Sequence, residues 1–274
     1  MTTATSLTPA AELSLERMAE LFTQAYEGYE VPLHVDAGAI AFMEEALDLD
    51  PDRGRVAWRG GRPVGVALLA VRGEAGWVGG MGVIASERRT GLGHQLMQAV
   101  IAEARAAGVR RLGLEVLEKN VAARTLYEKL GFRGFRRLEV WALEGSPAAA
   151  ASTAQACAPR AARGRIAAAR RASEPWQRAD ATLDRLDVST PALRAVTLPG
   201  GDAIYRVTDG RASVLQSATA SVAAAGALLD AILARAGVRS LRYLNVPADD
   251  PAAAALRERN ATCVTSQLEM ALEL

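Results

Sequence analysis

The sequence predicts an α/β fold in which a mixed sheet with helices packed on it occurs twice in tandem. In the first half, apolar residues switch between the spacing typical of helices and the alternation typical of strands. A weak copy of the same order recurs in the second half, and an alanine- and proline-rich stretch separates the two. These three observations favour two related α+β domains within 274 residues.

The first half combines two helices, a β-hairpin and an alternation of strands and helices. Gly60-Gly61 supplies the hairpin turn, and Gly108 and Gly131 are placed to end helices. The elements are helices over 11–29 and 37–47, a hairpin over 55–72, a strand over 76–84, a helix over 91–107, a strand over 111–117, a helix over 122–130 and a strand over 135–143. The order α-α-β-β-β-α-β-α-β predicts one domain over residues 1–145.

Residues 146–162 form a low-complexity stretch with two prolines and no large apolar side chain. Such a composition is typical of a linker, because it offers little apolar surface to bury. An alanine-rich helical extension of the first domain is the alternative interpretation.

Residues 163–274 repeat the order of the first half. Val238-Arg-Ser-Leu follows Val109-Arg-Arg-Leu by 129 positions, and Leu268-Glu-Met follows Leu138-Glu-Val by 130 positions. We interpret the segment as a second copy of the β-α-β-α-β core. Chance similarity within an alanine-rich chain is the alternative.

Composition restricts the classes of partner and cofactor. The formal net charge is +1, so no electrostatic attraction to nucleic acid or an anionic membrane is expected. Two cysteines without CxxC spacing and two histidines argue against a disulfide framework and a metal site. Residues 1–14 do not resemble a signal peptide, and no apolar run has the length of a membrane span. We expect a cytoplasmic protein that binds no metal.

The segment Arg88-Arg89-Thr90-Gly91-Leu92-Gly93 stands between a predicted strand and a predicted helix. The first N–H groups of a helix have no partner within the helix, and glycines allow a phosphate to approach them. By itself a Gly-x-Gly loop is also compatible with a simple turn. A P-loop is excluded because His94-Gln95 follows Gly93, and a Rossmann motif because Leu96 stands where a third small residue is needed.

Two motifs in the right order resemble the GNAT superfamily of N-acetyltransferases. Arg88 to Gly93 matches the family pattern Arg/Gln-x-x-Gly-x-Gly/Ala. The second signature, Asn-x-x-Ala-x-x-Leu-Tyr-x-x-x-Gly-Phe, is present over residues 120–132. The resemblance covers nearly the whole first half and implies two tandem GNAT-like acyl-CoA N-acyltransferase domains.

The resemblance also implies which residues bind acetyl-CoA. Backbone amides from Arg89 to His94 would hold the pyrophosphate, with Arg88 and Thr90 in the same loop. Val83 and Ile84 would bond the pantetheine arm in the manner of an added strand. The implied contacts with the cofactor are therefore Val83, Ile84, Arg88, Arg89, Thr90, Gly91, Leu92, Gly93, His94, Asn120, Ala123 and Tyr127.

In that family an amine attacks the thioester directly, without an acyl-enzyme, so an acid for the departing thiolate is needed. The resemblance makes Tyr127 this acid, although half-buried packing is also common for a tyrosine on a helix. Glu115 alternates with apolar neighbours on a predicted strand and is a candidate base, or simply an exposed sheet residue. His94 is more compatible with a structural role or a phosphate neighbour than with a base.

Tyr26 and Tyr29 lie where the family's first two helices line the acceptor side. They are candidate substrate contacts, and core packing is the alternative for each. The sequence does not identify the acceptor, which we expect to be a primary amine of a small molecule or a peptide, bound by a monomer or homodimer.

The second copy lacks the phosphate loop. Ser217 to Gly226 contains no basic residue and no paired glycines. Asp249 or Asp250 stands opposite Asn120, and Leu256 or Arg257 opposite Tyr127, depending on the gap. We therefore expect a degenerate, non-catalytic domain over residues 163–274. A non-catalytic acyl-CoA-binding sensor and an enzyme active in both halves remain alternatives.

Overall fold

Helices and strands alternate along the chain in the computed structural model, which describes residues 4–28, 34–145, 153–189 and 193–274. The strands are β1 Thr5–Pro9, β2 Leu49–Arg59, β3 Arg62–Arg72, β4 Ala75–Val83, β5 Arg111–Leu117, β6 Arg133–Glu144, β7 Gln155–Cys157, β8 Arg194–Leu198, β9 Gly201–Thr208, β10 Arg211–Thr219, β11 Ser240–Pro247 and β12 Thr262–Glu273. The helices are α1 Leu15–Ala25, α2 Ala37–Leu47, α3 Leu92–Ala106, α4 Val121–Lys129, α5 Pro159–Ala169, α6 Asp180–Ser189, α7 Val222–Ala236 and α8 Pro251–Glu258. The predicted mixed α/β class is confirmed.

The chain forms two compact units. The first consists of Met1–Phe135 and Glu269–Leu274, and its strand order is β1-β2-β3-β4-β5 followed by the end of β12. Neighbours from β1 to β4 are antiparallel, whereas β4 and β5 are parallel and are joined through α3. Helix α3 buries Leu96, Met97 and Val100, which form part of the apolar core.

Local sequence accounts for the helix ends of the first unit. The side chains of Ser14, Asp36 and Asn120 accept hydrogen bonds from first-turn N–H groups of α1, α2 and α4. Gly108 and Gly131 follow α3 and α4 with φ of 77° and 94°, which other residues adopt only with strain. The predicted bounds of α2 and β5 are confirmed. Helix α1 begins later than the predicted residue 11, because Ser14 caps it, and it also ends earlier than predicted, at Ala25.

Glycines in β4 let helix α1 lie directly on the strand. A Cβ at Gly80 would stand 2.2 Å from Phe22 Cζ, and one at Gly82 would stand 2.8 Å from Ala25 Cβ. A larger residue at either position would separate helix and strand. This contact sets the position of the C-terminal end of α1.

The second unit, Arg136–Leu268, has the strand order β6-β11-β10-β9-β8-β7. Strands β10 and β11 are parallel and joined through α7, as β4 and β5 are joined through α3. Helix α7 buries Leu228, Leu229, Ile232 and Leu233 in the core of this unit. The predicted repeat is therefore present as a fold, with α8 in the order where the first unit has α4.

The division between the units differs from two uninterrupted domains. Strand β6 begins in the first unit and passes into the second, while β12 begins in the second and ends in the first. There the Leu274 N–H donates to Arg110 O at 2.8 Å. Each unit therefore takes the end of a strand whose start belongs to the other.

Part of the predicted linker is regular structure. Residues 146–152 lie outside the described residues, but Gln155–Cys157 pairs antiparallel with β8. Pro159 then stands in the first turn of α5, a position that suits it because the missing N–H would have no partner there. Ala162 and Ile166 are fully buried. Of the alanines described in this stretch, Ala154 and Ala162 are buried, whereas Ala156, Ala158 and Ala161 are exposed.

Candidate functional site

A cleft of about 490 Å³ opens in the first unit between the end of β4, the start of α3 and the start of α4. Nine of the residues expected to contact the cofactor line it, namely Val83, Arg88, Arg89, Gly91, Gly93, His94, Asn120, Ala123 and Tyr127. The two sequence motifs, separated by 26 residues between Gly93 and Asn120, thus meet in space.

The start of α3 forms the polar end of this cleft. Gly91 is the N-cap residue with φ of 86°, and no side chain caps the helix. The first intrahelical bond joins the Gln95 N–H to Gly91 O at 3.2 Å, so the N–H groups of Leu92, Gly93 and His94 precede the helical ladder. A Cβ at Gly93 would meet Leu126 and Met81 side-chain atoms at 3.4 and 3.6 Å. Because Gly93 has no side chain, the N–H groups at the start of α3 remain accessible to an anion.

Arg88 is directed toward the protein backbone. Its Nε donates to Val83 O at 3.0 Å, and its Nη2 donates to Ala25 O at 3.1 Å and to Glu27 O at 2.9 Å. The last two carbonyls lie at the C-terminal end of α1, where a cation is favoured. Arg88 therefore ties the phosphate loop to α1, while Arg89, exposed and with φ of 64°, lines the cleft.

The register of β4 decides which backbone groups face the cleft. The Ile84 N–H donates to Val64 O at 3.0 Å, within the sheet, and Ile84 is buried. Successive residues of an antiparallel strand point their N–H and C=O groups to opposite sides. The backbone groups of Val83 therefore face away from β3, and Val83 O accepts there from Arg88 Nε at 3.0 Å. Ile84 therefore does not line the cleft, whereas Met81, which was not predicted, does.

Asn120 and Tyr127 stand on the wall formed by α4. The Asn120 Oδ1 accepts from the Ala123 N–H at 3.1 Å, which fixes the start of the helix. Tyr127 is 6% exposed, and its ring lies 5.9 Å from that of Phe132 at an interplanar angle of 58°. The Tyr127 ring is buried against Phe132, and the residue also lines the cleft, so Tyr127 is able both to pack in the core and to contribute to the cleft.

Besides Ile84, three expected residues do not line the cleft. The Thr90 hydroxyl donates to Glu87 O at 2.8 Å, which stabilises the loop. Leu92 is buried in the core. Glu115 accepts from Trp77 Nε1 at 2.8 Å, so this carboxylate is held by a buried indole. Alternation along β5 correctly predicts that Glu115 points away from its apolar neighbours, but no local pattern predicts the contact with Trp77.

The expected acceptor residues are only partly described. Tyr26 ends α1 and stacks on Phe22 with ring centroids 5.0 Å apart, and its ring lies beside Gly82. Tyr29 lies outside the described residues. Sequence reasoning missed other residues that line the cleft, namely Ala25, Met81, Gly82, Glu87, Ala122 and Leu126. The glycine-rich strand was the available signal for Gly82.

In the second unit, the start of α7, which corresponds to the start of α3, is capped by a side chain. The Ser221 Oγ accepts from the Ala224 N–H at 3.2 Å and so caps α7, where α3 has no side-chain cap. Asp250 caps α8 as Asn120 caps α4, which settles the alternatives left by the gap. Seven residues beyond that cap stands Arg257, whose guanidinium pairs with the buried Glu139. No tyrosine therefore stands at this position of α8.

Among the described residues, no group of three or more His, Cys, Asp or Glu side chains is arranged to hold a metal ion. Of the helices in the described ranges, none is long and apolar enough to span a membrane.

A mixed sheet with a parallel pair, an uncapped helix start and a tyrosine on α4 place the first unit among α/β domains that have a cleft at a helix N-terminus. The sequence model of the acetyltransferase (GNAT) family matches residues 15–132. Residues 15–132 therefore form an acetyltransferase domain of the GNAT family. Among curated proteins, no sequence matches the chain.

Solved structures resemble the chain over nearly its whole length. A GCN5-related N-acetyltransferase from Sphaerobacter thermophilus is 15% identical, with 98% of this chain and 95% of that one covered at a TM-score of 0.75. A tandem GNAT protein from the clavulanic acid biosynthesis pathway is 16% identical, with 98% of both chains covered at a TM-score of 0.69. At such identities the likeness shows the fold, which is that of a tandem GNAT protein.

Proposed function

We propose that the first unit is an acetyl-CoA-dependent N-acetyltransferase that transfers the acetyl group directly to a primary amine of a small molecule or protein. The observation that carries the proposal is the uncapped start of α3, which opens into the same cleft as Tyr127. An anion site and a proton donor in one cleft suit a phosphate-bearing thioester.

The pyrophosphate of acetyl-CoA fits the start of α3. The N–H groups of Leu92, Gly93 and His94 precede the helical ladder, and the helix dipole makes this end positive. Arg89 lines the same cleft and supplies a charge that Arg88, bonded to backbone carbonyls, does not direct there. The site therefore favours a dianion over a neutral ligand.

The pantetheine arm fits the edge of β4. The Val83 N–H faces the side of β4 away from β3, whereas Val83 O accepts from Arg88 Nε, and Met81 lines the same cleft. An amide-bearing chain that bonds to this edge would act as a short added strand. Such an arm would run from the phosphate end toward the helix that carries Tyr127.

Transfer requires a deprotonated amine and a proton for the leaving group. The amine nitrogen forms a bond with the thioester carbonyl carbon, the C–S bond breaks, and the sulfur takes up a proton. We propose that Tyr127 gives this proton, that the amine loses its own to solvent, and that Tyr127 then regains a proton from solvent. Glu115 is bonded to Trp77 and does not line the cleft, so a role as base would act through water.

Coenzyme A chemistry is confined to the first unit in this proposal. Ser221 satisfies the start of α7, and Arg257 stands where Tyr127 would be needed. We propose that the second unit is a non-catalytic copy. We also propose that the protein acts in the cytoplasm, as a monomer or homodimer, without metal, nucleic acid or membrane.

The test combines calorimetry with acetyl-CoA and thioester consumption against polyamines, amino acids, aminoglycosides and peptides. We expect one coenzyme A equivalent per chain and turnover with at least one amine class. Binding without turnover on any amine would favour the acyl-CoA sensor. Two equivalents per chain would favour an enzyme active in both units, and absence of binding would refute the proposal.

A further inference from the structure

In the second unit, the parallel strands β10 and β11 separate at one end, as β4 and β5 do in the first. The pair Arg211–Val214 and Ser240–Tyr243 is in register, and both strands then become irregular. A bulge follows Val214 in β10, and Asn245 in β11 has φ of 52°. The separated strand ends would leave backbone carbonyls without partners.

The Arg178 guanidinium fills this opening. Nε donates to Leu215 O at 2.9 Å, on the β10 side. On the β11 side, Nη1 donates to Asn245 O at 3.0 Å, and Nη2 donates to the Tyr243 hydroxyl at 3.0 Å. Arg178 is 3% exposed, so the opening is closed to solvent at this depth.

Glu174 balances the buried charge. Its carboxylate lies 2.8 Å from Arg178 Nη2, and both side chains are almost inaccessible. Burial raises the pKa of Glu174, an effect that the charge of Arg178 opposes. Burial also raises the pKa of Tyr243, which keeps its hydroxyl protonated. The Arg178 guanidinium is therefore surrounded by acceptors, namely the Glu174 carboxylate, the Tyr243 hydroxyl and backbone carbonyls of both strands.

Side chains of β10 and α6 hold the backbone of the segment that carries Arg178, between α5 and α6. The Gln216 Nε2 donates to Arg178 O at 2.6 Å, and the Thr182 hydroxyl donates to Trp176 O at 2.7 Å. Outside Arg178, a cavity of about 140 Å³ remains, lined mostly by charged and small residues. In the second unit, Arg178 therefore fills the region that corresponds to the open cleft of the first unit.

We propose that the opening of the second unit is a guanidinium-binding site occupied by the chain's own Arg178. The planar fork of an arginine matches carbonyls on two diverging strands, which a lysine ammonium does not. The comparison with the first unit rests on the proposed function, but the guanidinium site itself does not. In this arrangement Arg178 occupies the position where an acyl-CoA arm would have to enter, so the second unit takes no cofactor.

Arg178→Ala should vacate the site and lower the thermal midpoint of unfolding. We expect millimolar methylguanidinium to restore part of that loss, because it supplies the missing donors, whereas methylammonium should not. The matched control is Arg171→Ala, since Arg171 is exposed in the same segment and its loss should give no such rescue. A folded Arg178→Ala protein that methylguanidinium stabilises no more than the control would overturn the proposal.

Glu174→Gln provides a second test, should Arg178→Ala fail to fold. It keeps the size of the side chain but removes the counter-charge of the buried guanidinium, so the unfolding midpoint should fall. A variant as stable as the wild type would contradict the proposal. Since these readouts measure stability, they are unaffected if the first unit proves to have no transfer activity.

Discussion

Replacing Gly91 by glutamate tests where the pyrophosphate binds. Gly91 has φ of 86°, and a Cβ there would meet no atom within 4 Å. The free protein therefore bears only the backbone strain of a non-glycine residue with positive φ, about 1–2 kcal/mol. Gly91→Ala carries the same strain without charge and is the matched control.

The added charge separates the two variants. A glutamate carboxylate about 5 Å from one phosphate charge opposes binding by roughly 3 kcal/mol at an effective dielectric constant of about 20. Water and salt at this exposed loop screen part of that energy. We expect Gly91→Glu to bind coenzyme A about 10- to 100-fold more weakly than Gly91→Ala.

Calorimetry with coenzyme A at low and high salt measures the binding difference, and urea denaturation measures the strain. Both variants should lose similar stability. The binding gap should narrow as salt rises, because the repulsion is electrostatic. Equal affinity of Gly91→Glu and Gly91→Ala at low salt would show that the pyrophosphate binds elsewhere.

The other predictions concern the acid, the loop arginines and one carboxylate of the second unit. Tyr127→Phe should keep coenzyme A affinity while kcat falls by roughly 100-fold, and an unchanged kcat would leave Tyr127 with packing alone. Arg89→Met should weaken coenzyme A binding in a salt-dependent manner, whereas Arg88→Met should mainly raise KM for the amine; the reverse pattern in steady-state kinetics would assign the phosphate to Arg88. Burial would raise the pKa of Asp180, but hydrogen bonds from arginine and glutamine side chains hold it below its usual value of 3.8. The stability that wild type gains over Asp180→Asn should therefore be present above about pH 4 and decline as pH falls through the lowered pKa; urea denaturation at several pH values that showed the opposite slope would contradict this.

Much of the first unit follows from local sequence. Alternation and helical spacing located the strands and helices, and Gly108 and Gly131 marked two helix ends because both require positive φ. The loop from Arg88 to Gly93 was placed correctly, since a glycine cap and a helix start are local features. Asn120 capping α4 is equally local.

The remaining features depend on partners distant in sequence. Ile84 and Met81 differ in their access to the cleft only through the register of β4 against β3. Arg88 lines the cleft as expected, but its hydrogen bonds to carbonyls at the end of α1 could not be predicted from the loop. Arg178 lies in a segment without periodicity, and its burial follows from carbonyls on two distant strands. No spacing rule in one sequence encodes such contacts.

The passage of β12 into the first unit has a consequence for synthesis. Glu269–Leu274 belongs to the unit whose other residues are made first. As the chain is synthesised, β5 keeps an unpaired edge until Glu269–Leu274 has been made. The synthesis of the unit that carries the cleft therefore begins before the second unit is made and is completed only after it.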